Sequence, residues 1–223
     1  AARLERSDNI ITLDMGGTTA KASMVENGQV ARTGDYEVGA GINLSSKLVM
    51  GGGYALKLPV IDISEIGAGG GSIVSIDRGG LVKVGPESAG ALPGPVCYGR
   101  GGEDPTFTDS VLTLGFLNPE HLVGGGLQLD ADKTRQVLES RIAAPIDCDL
   151  LDAAWGVFQV ACGTMVRAVK AVSTYRGRDP RDFSLFAFGG NGPVVAAEIA
   201  NLLDMTEVVI PPTPGVFSAF GLL

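Results

Sequence analysis

Apolar and polar positions near the start of the chain alternate with a period of two, which predicts strands. Residues 9–14 (NIITLD) form a β-branched apolar run that closes on Gly16-Gly17. The alternation resumes over 18–25 and meets a turn at Glu26-Asn27-Gly28, and a third strand is expected around 30–38. Three strands joined this way make a β-meander. From residue 39 to about 130 the chain is irregular and glycine-rich. A structureless loop of that length does not suit a compact domain. An ordered insertion with short strands of its own is therefore expected, including a hairpin over 73–84 that turns on Asp77-Arg78-Gly79-Gly80.

The period then becomes helical. Asp130-Ala131-Asp132 is an N-cap signal for a helix running to about 142. A longer helix starts near Asp149, where Leu151, Ala154, Phe158, Ala161, Met165, Ala168, Val169 and Val172 recur at three- and four-residue steps. That stripe reads as core. Residues 183–188 (FSLFAF) read as a buried strand, Pro193 sits in the first turn of a helix over 194–203, and 208–210 is a short strand. The expected class is α/β, a mixed sheet with helices on its faces. Its parts are a meander over 1–38, an insertion over 39–130 and the remainder of the lobe over 131–223.

Composition narrows the function classes. The net charge of −8 argues against a broad nucleic-acid-binding face, since phosphate backbones select basic surfaces. It leaves room for an anionic nucleotide, which a few backbone amides and one metal ion can hold. The three cysteines, Cys97, Cys148 and Cys162, show no CxxC spacing, which points to a reducing, cytoplasmic setting rather than a disulfide framework or zinc site. The single histidine, His121, makes a histidine-based triad or metal site improbable. No run of about 20 apolar residues is present, so no membrane span is expected. The apolar ends suggest a segment of a larger protein.

The 33 glycines lie in discrete clusters, which makes them loop chemistry. Asp14-Met15-Gly16-Gly17-Thr18-Thr19 sits between two expected strands. Glycine there lets backbone N–H groups approach a phosphate, threonine hydroxyls add donors, and Asp14 can hold Mg²⁺. The segment lacks the GK[ST] ending of a P-loop, and an ordinary hairpin turn is the alternative. Gly189, Gly190 and Gly192 lie at a strand-to-helix junction, where a ligand can rest against the backbone. Gly67, Gly69, Gly70, Gly71 and Ser72 follow Asp62 and Glu65; the cluster reads as a phosphate-contacting or lid loop, or else as a bulged strand edge. The two carboxylates are candidates for metal binding or general base work, or for plain solvation.

Taken in order, the blocks IITLDMGGTTAK, PVIDISEIGAGGGSI, VGPESAGALPGPVCYGRGG, PTFTDSVLTLGFL, RGRDPRDFSLFAFGGNGP and IPPTPGVFSAFGLL resemble the central domain of hydantoinase A/5-oxoprolinase proteins, from about Asn9 onward. The resemblance implies a ribonuclease-H-like lobe of the actin/Hsp70/sugar-kinase superfamily with a glycine-rich inserted subdomain, its N-terminal partner lobe lying outside this chain. It implies ATP and Mg²⁺ as cofactors, with Asp14 on the metal. Gly16, Gly17, Thr18, Thr19, Lys21 and the cluster from Gly67 to Ser72 would then face the phosphates, and Gly189 to Gly192 the adenosine side. Asp62, Glu65 and Asp109 are the candidate acid/base or metal residues. It also implies a B-type subunit or domain as partner, an oligomer, and a small cyclic amide or ketone as substrate.

Such proteins hydrolyse cyclic amides with ATP, and relatives carboxylate acetone or acetophenone. A cyclic-amide hydrolase subunit is the leading expectation, beside a ketone carboxylase subunit and a non-catalytic nucleotide-binding protein. Two positions depart from the family pattern: many members carry histidine where this chain has Ser64 and Val195. Substrate or metal roles for those histidines do not carry over.

Overall fold

The computed structural model describes residues 8–34, 36–38, 54–56, 58–122 and 125–221. Its first strands are β1 (Ile10–Met15), β2 (Ala20–Glu26), β3 (Gln29–Val30), β4 (Arg32–Thr33), β5 (Tyr36–Val38), β6 (Tyr54–Leu56), β7 (Val60–Ile61) and β8 (Ile63–Ile66). The hairpin β9 (Ser72–Ile76) and β10 (Val82–Ser88) follows, then helices α1 (Phe107–Thr113), α2 (Ala131–Leu138) and α3 (Leu150–Val172). The chain closes with β11 (Ser184–Phe188), α4 (Gly192–Leu202), β12 (Val208–Val209) and α5 (Phe217–Phe220). It divides into two compact units, one built from residues up to 66 and from 165 onward, the other from 67–164.

In the first unit β1 is a central strand, parallel to β11 on one side and antiparallel to β2 on the other. Ile10, Ile11, Leu13 and Met15 are all fully buried, because a central strand is covered on both faces. Each aliphatic side chain so buried contributes about 1.5–3 kcal/mol. On β2 the alternation survives: Ala20, Ala22 and Met24 are buried while Lys21 faces solvent. The turn between β2 and β3 puts Asn27 and Gly28 at φ 51° and 72°. Two successive left-handed residues make the two-residue hairpin turn that asparagine and glycine favour.

The sheet runs β12-β11-β1-β2-β3, with β8 also paired to β2. Here the structure departs from the expected third strand. Only Gln29 and Val30 pair with β2; Arg32–Thr33 turns away to β7, and Tyr36–Val38 pairs with β6. The rest of the β2 edge, Ala20 to Ser23, is taken by β8. An edge left open by β3, a strand only two residues long that ends at Val30, is closed by β8, which begins only at Ile63. Helix α4 packs on β11, β1 and β12, burying Val195, Ala196 and Ile199. From α3 this unit takes Met165, Ala168, Val169 and Val172, all buried.

The second unit opens on the expected hairpin. Its turn is fixed by Asp77, whose Oδ1 accepts from Gly79 N at 2.8 Å and Leu81 N at 3.0 Å. Those N–H groups, Leu81 first, hold the Asp77 carboxyl below its ordinary range. Val74, Leu138, Ile142, Ala143, Ala153 and Val157 form one core cluster, and Cys97, Leu112 and Leu129 a second. Phe158 stacks against Phe107 and Trp155 and meets Phe116 edge-on.

Helix α1 was not anticipated from the period. Its seven residues carry a capping box, in which the Thr106 hydroxyl accepts from Asp109 N and the Asp109 carboxylate accepts from Thr106 N.

Candidate functional site

The loop after β1 and the loop after β11 lie together at one end of the sheet, because β1 and β11 are parallel neighbours in register from Ile10↔Ser184 to Asp14↔Phe188. Both strands therefore deliver their following glycines to the same place. Gly16 N donates to Thr19 O at 3.1 Å, closing the first loop. Asn191 joins the second loop to it twice, through its N–H to Met15 O at 2.9 Å and its Nδ2 to Gly16 O at 3.2 Å. Gly189 has φ +82°, and a Cβ there would lie 2.5 Å from both Asp14 Oδ1 and Met15 O. Only glycine allows that approach. A Cβ on Gly192 would lie 3.3 Å from Leu13 O, so this glycine too lets α4 begin close against β1.

What faces outward is open. Gly17 and Gly190 have nothing within 4 Å of a Cβ position, and both are exposed, as is Thr18. Asp14 is half-buried, and its Oδ2 accepts from Ser218 Oγ at 3.0 Å. One carboxylate beside exposed glycine amides suits a phosphate–Mg²⁺ pair better than a bare metal, since Mg²⁺ commonly takes one or two carboxylates plus phosphate oxygens and water. Among the described residues no group of three or more His, Cys, Asp or Glu is placed to hold a metal ion without such help.

The remaining candidates fall elsewhere. Lys21 and Glu65 face each other across the β2–β8 pairing, 3.8 Å apart, on a partly exposed edge where such a pair contributes less than about 1 kcal/mol. Asp62 is 5% exposed and pairs with Arg176 Nη2 at 3.0 Å. Beside it Arg178 makes bonds to both oxygens of Glu26, which raise the guanidinium above its ordinary range. These four residues line a cleft of about 370 Å³ beside β2, β3 and β4. The Asp62 pair is mostly out of water, so Asp62→Ala is expected to cost about 3 kcal/mol by leaving Arg176 without this carboxylate. Amide exchange in β8 of the full-length variant measures that loss.

In the second unit, Asp109 is fully buried. Its Oδ1 accepts from Cys97 N at 2.8 Å, and its Oδ2 from Val96 N, Thr106 N and Thr106 Oγ1. Those bonds tie the turn at Val96–Tyr98 to the start of α1. Burial, then the Asp109 charge, pushes the Cys97 thiol far up, so it stays protonated and unreactive. Residues 68–72 are buried as well, and only Gly67 of that cluster is exposed. Gly69 N donates to Ser72 Oγ at 2.9 Å, while Gly70 O accepts from Thr108 N and Thr108 Oγ1.

Two site residues were missed in the sequence. Ser218 and the Asn191 side chain both bond the first loop from distant chain positions, and no local pattern marks them; each lies inside one of the family-like blocks.

Comparison with known proteins agrees with this fold. The hydantoinase/oxoprolinase family model matches residues 1–223. A protein of Methanocaldococcus jannaschii with no assigned activity is 44% identical over 222 residues, covering 100% of this chain and 32% of that protein. Caprolactamase subunit alpha of Pseudomonas jessenii is 37% identical over 214 residues, covering 96% of this chain and 29% of that protein. A crystal structure of the ATP-dependent caprolactamase from the same organism superposes with a TM-score of 0.84 at 37% identity, covering 99% of this chain and 30% of that one. The nucleotide-free structure of acetone carboxylase gives 0.83 at 29% identity, covering 99% and 29%. The chain thus spans about a third of the length of these two curated relatives. With its whole length matched and its two glycine loops brought together at one sheet end, the chain belongs to the hydantoinase/oxoprolinase family.

Proposed function

We propose that this chain is the ATP-binding lobe of a cytoplasmic enzyme that uses ATP to open a cyclic amide, a lactam, hydantoin or 5-oxoproline being the substrate class. The observation that carries the reading is the double hydrogen bond from Asn191 to the backbone of the Asp14 loop, which holds two glycine loops as one surface. The open positions at Gly17 and Gly190 fit a phosphate chain lying against the backbone. Gly16, Gly17, Thr18 and Thr19 would hold the phosphates, Asp14 the Mg²⁺, and Gly189, Gly190 and Gly192 the adenosine side. ATP, when bound, supplies the phosphoryl group that makes an unreactive carbonyl attackable.

Three antiparallel strands continued by two parallel ones support a ribonuclease-H-like lobe, whose nucleotide cleft a second lobe would complete. Of the three carboxylates considered for acid/base work, Glu65 is the one that is half-exposed, and it meets Lys21 in a weak contact. It is therefore the candidate base, and Asp62 and Asp109 are assigned to holding the fold. The work would be shared with a B-type subunit or domain in an oligomer.

A ketone carboxylase is the second reading, favoured by the likeness to acetone carboxylase. Both would use the same nucleotide site. The deciding measurement is Mg²⁺-ATP hydrolysis by the full-length protein with its B-type partner. Stimulation by caprolactam, hydantoin or 5-oxoproline without bicarbonate is the expected result. Stimulation by acetone or acetophenone only with bicarbonate would move the protein to the carboxylases. ATP binding that is lost on Asp14→Ala, with no turnover under any condition, would overturn both enzyme readings.

A further inference from the structure

We infer that Ser218 is a positioning residue for Asp14, fixing the carboxylate that would face the metal; this rests on the nucleotide reading above. The Asp14 side chain is confined on both sides. Its Oδ1 lies where a Cβ on residue 189 would be 2.5 Å away, and its Oδ2 accepts from Ser218 Oγ at 3.0 Å. A hydroxyl donating to one carboxylate oxygen fixes the direction in which that oxygen points.

A hydrogen bond, a turn and ring packing place Ser218 in its turn. Gly189 N donates to Pro214 O at 2.9 Å, anchoring the segment before α5 to the second glycine loop. Thr213, at φ 52°, turns the chain into that segment. Phe217, next to Ser218, packs its ring 5.2 Å from those of Phe186 and Phe188 on β11. The segment that begins at Pro214 therefore forms a third side of the site, and its contribution is one hydroxyl aimed at one carboxylate oxygen. Ser218 itself is exposed, so its removal leaves the core intact.

Groups that orient a metal ligand typically matter ten- to a hundredfold in metal affinity. The test is calorimetric binding of a non-hydrolysable ATP analogue to the full-length protein, with Mg²⁺ and separately with EDTA. Ser218→Ala is expected to weaken binding about tenfold with Mg²⁺ and to leave the EDTA affinity unchanged. Ser218→Thr, which keeps the hydroxyl, restores the Mg²⁺ affinity. Asp14→Asn abolishes the Mg²⁺-dependent gain. If Ser218→Ala binds like the wild type with Mg²⁺ while Asp14→Asn loses the gain, the positioning role falls and the nucleotide reading stands. An equal loss with and without Mg²⁺ in Ser218→Ala would show a structural role and overturn the proposal. If Asp14→Asn changes nothing, the metal reading of Asp14 falls and the role of Ser218 falls with it.

Discussion

Asp109→Asn is expected to unfold the turn at Val96–Tyr98 and the start of α1 together, costing about 4 kcal/mol or more. The carboxylate accepts from four donors, three backbone N–H groups and one hydroxyl, at a site with no exposure. Asparagine keeps one acceptor oxygen and turns an NH₂ group toward donors. Even with its oxygen at the three-donor position, Cys97 N and the new NH₂ group are left without an acceptor, each at roughly 1–3 kcal/mol. Phe107 and Leu112, buried from α1, lose their anchor at the same time. Amide exchange at Val96, Cys97 and Thr106 in the full-length protein reads this directly. Protection should fall at all three and persist in β1 and β11. Loss of activity with those three amides still protected would contradict the structural role and return Asp109 to the catalytic candidates.

The case of Asp109 shows where the sequence was legible and where it was not. Strands β1, β2, β9, β10 and β11 and helix α3 followed from their periods, because each has a pattern made by its own neighbours. α1 has no such pattern: Phe107 to Leu112 are all buried, so no polar face exists to reveal a helical period. Its signal was the capping box, Thr106-Phe107-Thr108-Asp109, which is visible in the sequence and makes Asp109 a cap before it is anything else. The pairing of β8 with β2 was illegible for a different reason. Which strand fills an edge depends on which segment returns to it, and that is a property of the whole chain. The site divides the same way. The glycines of both loops stood out by composition, whereas their union through Asn191 and the reach of Ser218 to Asp14 are tertiary facts.

Gly189→Ala is expected to abolish nucleotide binding, at least a hundredfold, by breaking the junction of the two loops. The strain has two parts. A φ of +82° costs an L-residue roughly 1–2 kcal/mol. The new methyl would also sit 2.5 Å from Met15 O and 2.8 Å from Met15 C, which belong to the backbone of β1 and cannot swing aside as a side chain would. Relief requires β1 and the glycine loop to part, which draws Asn191 N away from Met15 O and pushes Asp14 Oδ1 off its position. Gly190→Ala is the informative contrast, since nothing lies within 4 Å of its Cβ position. That variant should fold like the wild type, within about 0.5 kcal/mol, so any loss of affinity it shows comes from a methyl in the space the ligand needs. Calorimetry of an ATP analogue, with amide exchange at Asn191 on the same samples, separates the two effects. Rapid exchange at Asn191 in Gly189→Ala with undiminished affinity would mean that nucleotide binding does not depend on this junction, and the reading of the two loops as one site would have to be abandoned.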